Sequence, residues 1–266
     1  MMISQLSAIG YKKTMKAITK LIAGLIITAG FVLIMGCKEK KMGLPPEGYF
    51  KGQQLTLAQA ISKGNIDDVK RLAKAADLNS PGQHDMTLLF FSLATSTDGD
   101  ATPERLQIAT ELVKAGADPL QARPNGGASP AEWMAKLDSG VWLKALLEGG
   151  LSPDAEDKVW GEPIIFQTSK ANNSETLKVL VDNGVNLELK DSLGQTVLME
   201  AFIYSSFPQV KFLIEKGANP NPKDAKGNSL AEIVNREIHD SKKGSEYNKE
   251  CLEIKKMMIA HGVVWP

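Results

Sequence analysis

From residue 53 onward the chain repeats itself every 33 to 34 residues, and two independent sets of glycines mark the period. The first set closes helix-like stretches. KAGADP (114–119), EGGLSP (148–153), DNGVNL (182–187) and EKGANP (215–220) place Gly116, Gly150, Gly184 and Gly217 at spacings of 34, 34 and 33. The second set, Gly127, Gly161, Gly194 and Gly227, runs at 34, 33 and 33, and each member precedes a new helix-like stretch: GASPAEWM, GEPIIFQT, GQTVLMEA and GNSLAEIV. Two markers holding one period exclude coincidence. A weaker first copy is KAADLN (74–79), and AHGVV (260–264) is a truncated last one. A period of this length belongs to stacked units, none of which can bury its own apolar face alone.

The two glycines have different physical tasks. One closes a helix by adopting positive φ; beside the other, Ser129, Thr196 and Ser229 are placed to cap the first free amides of the next helix. Leu112, Leu146, Leu180, Leu213 and Met258 each sit four residues before their glycine, followed directly by Val113, Leu147, Val181, Ile214 and Ile259. These pairs are expected to form a continuous core between neighbouring helix pairs.

The 33-residue period with GADxN-like and TPLH-like elements resembles the ankyrin repeat over roughly residues 53–264. Thr87-Leu88-Leu89-Phe90, Ser129-Pro130-Ala131-Glu132 and Thr196-Val197-Leu198-Met199 stand in for the usual tetrapeptide, without its histidine. The fold expected is an all-α ankyrin-repeat solenoid of about five to six helix-turn-helix units with β-hairpin-like loops, preceded by a lipoprotein signal peptide. Two insertions interrupt it, at TSTDGDATP (95–103) and around HDSKKGSEYNKE (239–250). Each reads equally as part of a binding face or as a tolerated surface excursion.

Ahead of the repeats, Lys12, Lys13, Lys16 and Lys20 precede an uncharged run, LIAGLIITAGFVLIM (21–35). Fifteen residues suit the apolar region of a secretory signal and are short for a membrane span, which needs about 20. The same features begin at Met15 as well as at Met1, so either can be the start. Ile34-Met35-Gly36-Cys37 resembles a bacterial lipobox, with Met35 departing from the residue usual there. The resemblance implies a signal peptide over 1–36, a lipidated Cys37 with a tether to residue 52, and the repeat domain over 53–266. A plain membrane anchor with a chance cysteine is the alternative. Lys38, where Asp would mean inner-membrane retention in the enterobacterial rule, implies an outer-membrane lipid anchor facing the periplasm.

Charge and chemistry remove several function classes. Net charge is zero over the chain, and without residues 1–36 there remain 27 basic and 31 acidic groups, close to −4. A nucleic-acid partner, which needs a concentrated basic face, is not expected. The two cysteines, Cys37 and Cys251, rule out a disulfide framework or a Cys-rich zinc site, and Cys251 reads as a packed small residue. His84, His239 and His261 lie too far apart in sequence for metal-ligand spacing, and no nucleophile elbow, phosphate loop or dinucleotide fingerprint occurs. No enzyme activity, metal or cofactor is expected.

What remains is recognition of another protein. Trp160, directly before Gly161 at a loop tip, is the first candidate contact; Trp133, Trp142, Arg123, Tyr204 and Phe207 complete the set, because aromatic and Arg side chains anchor interfaces. Lipobox and degenerate ankyrin repeats together are similar to the immunity lipoproteins that accompany phospholipase effectors of type VI secretion. That likeness implies a periplasmic, membrane-anchored protein that binds and neutralises such an effector. The alternative is a periplasmic ankyrin scaffold supporting envelope or oxidative-stress proteins.

Overall fold

The computed structural model describes residues 44–96, 101–123, 127–170 and 174–266. The signal region 1–36 and Cys37 lie outside the described residues. Eleven α-helices run through them: α1 (Gly52–Lys63), α2 (Ile66–Ala73), α3 (Leu88–Ala94), α4 (Pro103–Lys114), α5 (Pro130–Ala135), α6 (Val141–Gly149), α7 (Glu175–Asp182), α8 (Val197–Ile203), α9 (Phe207–Glu215), α10 (Leu230–Asp240) and α11 (Glu246–Ala260). With a 3₁₀ helix at Ile164–Lys170 they make six helix pairs in one unit, Gly43–Pro266.

First helices stack on first helices: α1 on α3, α3 on α5, α5 on the 3₁₀ helix, and that helix on α8. Second helices stack likewise, α2 on α4, α4 on α6, α6 on α7, and α9 on α11. Leu112, Leu146, Leu180, Leu213 and Met258 are all fully buried between layers, as the spacing required. Of the residues that follow them, Val113 and Ile214 are buried, Leu147 and Val181 partly so, and Ile259 is 46% exposed. Ile259 belongs to the sixth pair.

The caps expected at Ser129, Thr196 and Ser229 form, and Thr87 adds one more: each accepts from the amide three residues on, and Glu132 and Glu232 bond back to complete capping boxes. Gly150 ends α6 at φ 118°, a backbone region closed to most side chains, and its amide satisfies the Leu146 and Leu147 carbonyls. The fourth unit departs from the pattern. Pro163 stands where the second, third, fifth and sixth units have Ser or Thr, so its side chain offers no cap to the helix start. Ile164, Ile165 and Thr168 are β-branched, and the Thr168 and Ser169 hydroxyls donate back to the Ile165 and Phe166 carbonyls. A tighter 3₁₀ turn results.

The β-hairpin-like loops are not found. Among the described residues there is no β-strand, only single antiparallel bridges at Arg123–Gly127, Glu156–Pro163, Lys190–Thr196 and Lys223–Ser229. Aspartates hold these loops instead. Asp191 Oδ1 accepts from the amides of Leu193 and Gln195, and Asp224 Oδ1 from those of Lys226 and Asn228. Side-chain acceptors thus engage amides within the turn, and no ladder extends beyond one bridge.

The insertions differ in outcome. The second lengthens α10 and α11 and joins them through a short turn, where buried Asn248 donates to the Ile238 carbonyl and Ser241 Oγ. The first includes residues 97–100, outside the described residues. Packing starts before the repeat does, since Phe50 is buried edge-on against Phe91, with ring centroids 5.3 Å apart.

Candidate protein-binding surface

Side-chain bonds across the loops fix the spacing of the units. Asn79 accepts from the Asp118 amide at 2.8 Å and donates to the Gly116 carbonyl at 3.0 Å. Two repeats later Asp154 accepts from the Asn186 amide at 2.7 Å, and one repeat after that Glu188 accepts from the Asn219 amide at 2.8 Å. Lys158 pairs with Asp118 across the same seam. The loops therefore move as a set with the helices, a rigid base for whatever they present.

Trp160 is presented in this way. Its ring is 85% exposed, while the loop beneath it is pinned by buried Asp157. Asp157 Oδ1 accepts from the Val159 and Trp160 amides and Oδ2 from that of Glu162. Leu193 holds the same register one unit on, directly before Gly194, and is 60% exposed. The sequence reading missed Leu193, although its position relative to the loop glycine matches that of Trp160. Apolar side chains exposed at rigid tips offer contact area at low conformational cost.

Arg123 and Trp133 come together around a third residue, Phe90, at the junction of the second and third units. The Trp133 and Phe90 rings stack at 5.7 Å with planes 19° apart, and the Arg123 guanidinium carbon lies 5.3 Å from the Phe90 centroid. With Met86, Ala94, Gly127 and Ala128 they line a cleft of about 270 Å³. Phe90 and Met86 were not among the candidates, because a buried helix-start Phe in sequence looks like any core residue.

The remaining candidates separate. Trp142 is only 3% exposed within α6, so its ring belongs to the core and is closed to a partner; the expectation that it makes contact is corrected on that ground. Phe207 is half-buried between Phe202 and Tyr247, at 6.2 and 5.4 Å, and packs the fifth unit against α11. Tyr204 is 58% exposed at the turn into α9, beside Ser205 at φ 58°.

Among the described residues no group of three or more His, Cys, Asp or Glu side chains is placed to hold a metal ion. Nor is any described helix long and apolar enough to cross a membrane. Cys251 is buried, and burial pushes its thiol up to about 11, so it stays protonated and unreactive near neutrality.

Comparison with known proteins agrees with this geometry. A family model described as ankyrin repeats (3 copies) matches residues 133–224. Protein PhlB of Serratia liquefaciens is 28% identical over 177 residues, covering 66% of this chain and 74% of that protein. The human SH3 and multiple ankyrin repeat domains protein 2 is 32% identical over 120 residues, which are 44% of this chain and only 6% of that protein. In structure, the ankyrin repeat domain of Bcl-3 superposes with a TM-score of 0.57 at 20% identity, covering 79% of this chain and 86% of that one. An ankyrin repeat domain from Acinetobacter baumannii gives 0.53 at 21%, covering 77% and 97%. The chain has an ankyrin-like fold, its residues 133–224 match the ankyrin-repeat family model, and it is distantly similar to diverse ankyrin proteins.

Proposed function

We propose that this ankyrin scaffold is an immunity protein, anchored through Cys37 to the outer membrane and facing the periplasm, that binds and neutralises a phospholipase effector of type VI secretion. The observation that carries the recognition half is the rigid presentation of Trp160, 85% exposed on a loop pinned by the buried Asp157 carboxylate. A ring that size is left in water at a cost unless a partner covers it. The localisation half is supported by the sequence alone, in the basic and apolar run ending at Ile34-Met35-Gly36-Cys37. Tethering concentrates an inhibitor where a phospholipase must act.

The test is a pull-down from bacterial extract with residues 38–266, challenged with the neighbouring gene's product if that product is a phospholipase. Stoichiometric complex formation with loss of phospholipase activity is expected. Recovery of a different envelope protein, with phospholipase neither bound nor inhibited, overturns the reading in favour of an envelope scaffold.

A further inference from the structure

We infer that the cleft between Phe90, Trp133 and Arg123 receives one segment of a protein partner, an aromatic side chain directly beside a carboxylate. This rests on the protein-binding reading above but not on the partner being a phospholipase.

Among the described residues the cleft has one charged lining residue. Its walls are Met86, Phe90, Ala94, Trp133 and the small residues Gly127 and Ala128, and the charge among them is the Arg123 guanidinium. That group bonds the His84 carbonyl through Nη2 at 3.3 Å and lies over Phe90; among the described residues no carboxylate pairs with it. A guanidinium carries five N–H donors in a planar fork matched to a carboxylate. Exposed, and paired with no acid among the described residues, Arg123 is a cation whose complement a partner can supply. A cleft of about 270 Å³ with two aromatic walls has room for a ring beside that acid.

The cation is held in place. His84 and Asp85 both sit at φ 57°, a left-handed conformation uncommon for residues other than glycine, and this aims the His84 carbonyl at the guanidinium. The turn is tied down by Gln83 N donating to the Tyr49 carbonyl and Gly82 N to that of Met86, both at 2.8 Å. On the other side, a Cβ on Gly127 would stand 2.9 Å from Arg123 Cβ, so a side chain there would crowd the arginine. Other junctions do not repeat the set. Where Arg123 makes its bridge, the later loops have Glu156, Lys190 and Lys223, and where Phe90 sits, the next units have Glu132, Phe166, Met199 and Glu232. A role in packing alone would recur with the repeat.

The experiment is a titration of the full chain in detergent micelles, labelled with ¹³C at the methionine methyls, using acetyl-Asp-Phe-amide. Acetyl-Asn-Phe-amide and acetyl-Asp-Ala-amide are the controls. The Asp-Phe peptide is expected to shift the Met86 methyl saturably, at least about tenfold tighter than either control. Arg123→Gln should erase the Asp-over-Asn preference and Trp133→Ala the Phe-over-Ala preference, with melting temperatures within a few degrees of the parent. An unmoved Met86 methyl, or equal binding of the Asp and Asn peptides by the parent chain, overturns the inference without recourse to any variant. Peptide binding without capture of the phospholipase would sink the immunity reading and leave the cleft standing. Full inhibition of the phospholipase by Arg123→Gln would instead show that the enzyme docks elsewhere, and would overturn the cleft as its seat.

Discussion

The indole Nε1 of Trp265 donates to Asn235 Oδ1 at 3.1 Å, joining the last residues of the chain to the exposed side of α10. Lys255 covers the same ring, its Nζ 4.5 Å from the centroid. The residues after α11 thus fold back over part of the sixth helix pair. Trp265→Ala is expected to lower stability by about 1–2 kcal/mol. Hydrogen exchange should locate the loss in α10 and α11, with α1 to α4 unchanged. Uniform acceleration along the whole chain would contradict the capping role.

Two tryptophans of one composition class have opposite fates. Trp142→Ala empties a core site in α6 and should cost about 3–5 kcal/mol, read as a large fall in melting temperature. Trp160→Ala removes an 85% exposed ring and should change stability by less than about 0.5 kcal/mol. Against the phospholipase, the same Trp160 substitution is expected to weaken binding by at least about 30-fold. Unchanged affinity would remove Trp160 from the interface.

Capping gives a sharper local test. Ser229 accepts from the Glu232 amide while the Glu232 carboxylate takes the Ser229 amide at 2.7 Å and is held below its usual pKa, first by that amide and then by the Ser229 hydroxyl. Ser229→Ala should cost about 1 kcal/mol, measured by denaturant titration, and Ser129→Ala about the same. A null result at both sites would mean that packing, not capping, sets where α5 and α10 begin.

The elements legible in the sequence are those whose residues act locally. Gly150 and Ser229 show their tasks through identity and spacing, because a positive φ or a free amide is satisfied within a few residues. Leu112 through Met258 were legible for a related reason: the period itself states what must be covered. The loops were less so, since Asp191 and Asp224 suit either a hairpin turn or a self-contained Asx turn, and only the extent of pairing separates them. Trp142 and Trp133 look alike in sequence, eight residues short of a cap or inside a short helix, yet one faces the next layer and the other stacks on Phe90. That cleft joins Met86, Arg123 and Trp133 across 47 residues, a relationship that no window shorter than a repeat contains.

Cys251 makes the fold sensitive to alkali. Its thiol is buried, and burial raises it from an ordinary value of 9.0 to about 11, while Tyr247 beside it is also raised by burial and by its 2.9 Å bond to Glu237. Below pH 9 the thiol is protonated whether the chain is folded or not, so the full difference between the two states is preserved. Between about 9 and 11 the unfolded chain releases this proton and the folded chain keeps it. Unfolding is therefore favoured progressively as pH rises through that window, and the effect levels off above it. Cys251→Ala should flatten the decline of denaturant midpoint over that interval, at the cost of a slightly lower midpoint at pH 7 from the lost packing. A thiol reagent at pH 8 should label the parent chain only at the rate of opening of α11, and labelling as fast as that of a free thiol would show the site to be open.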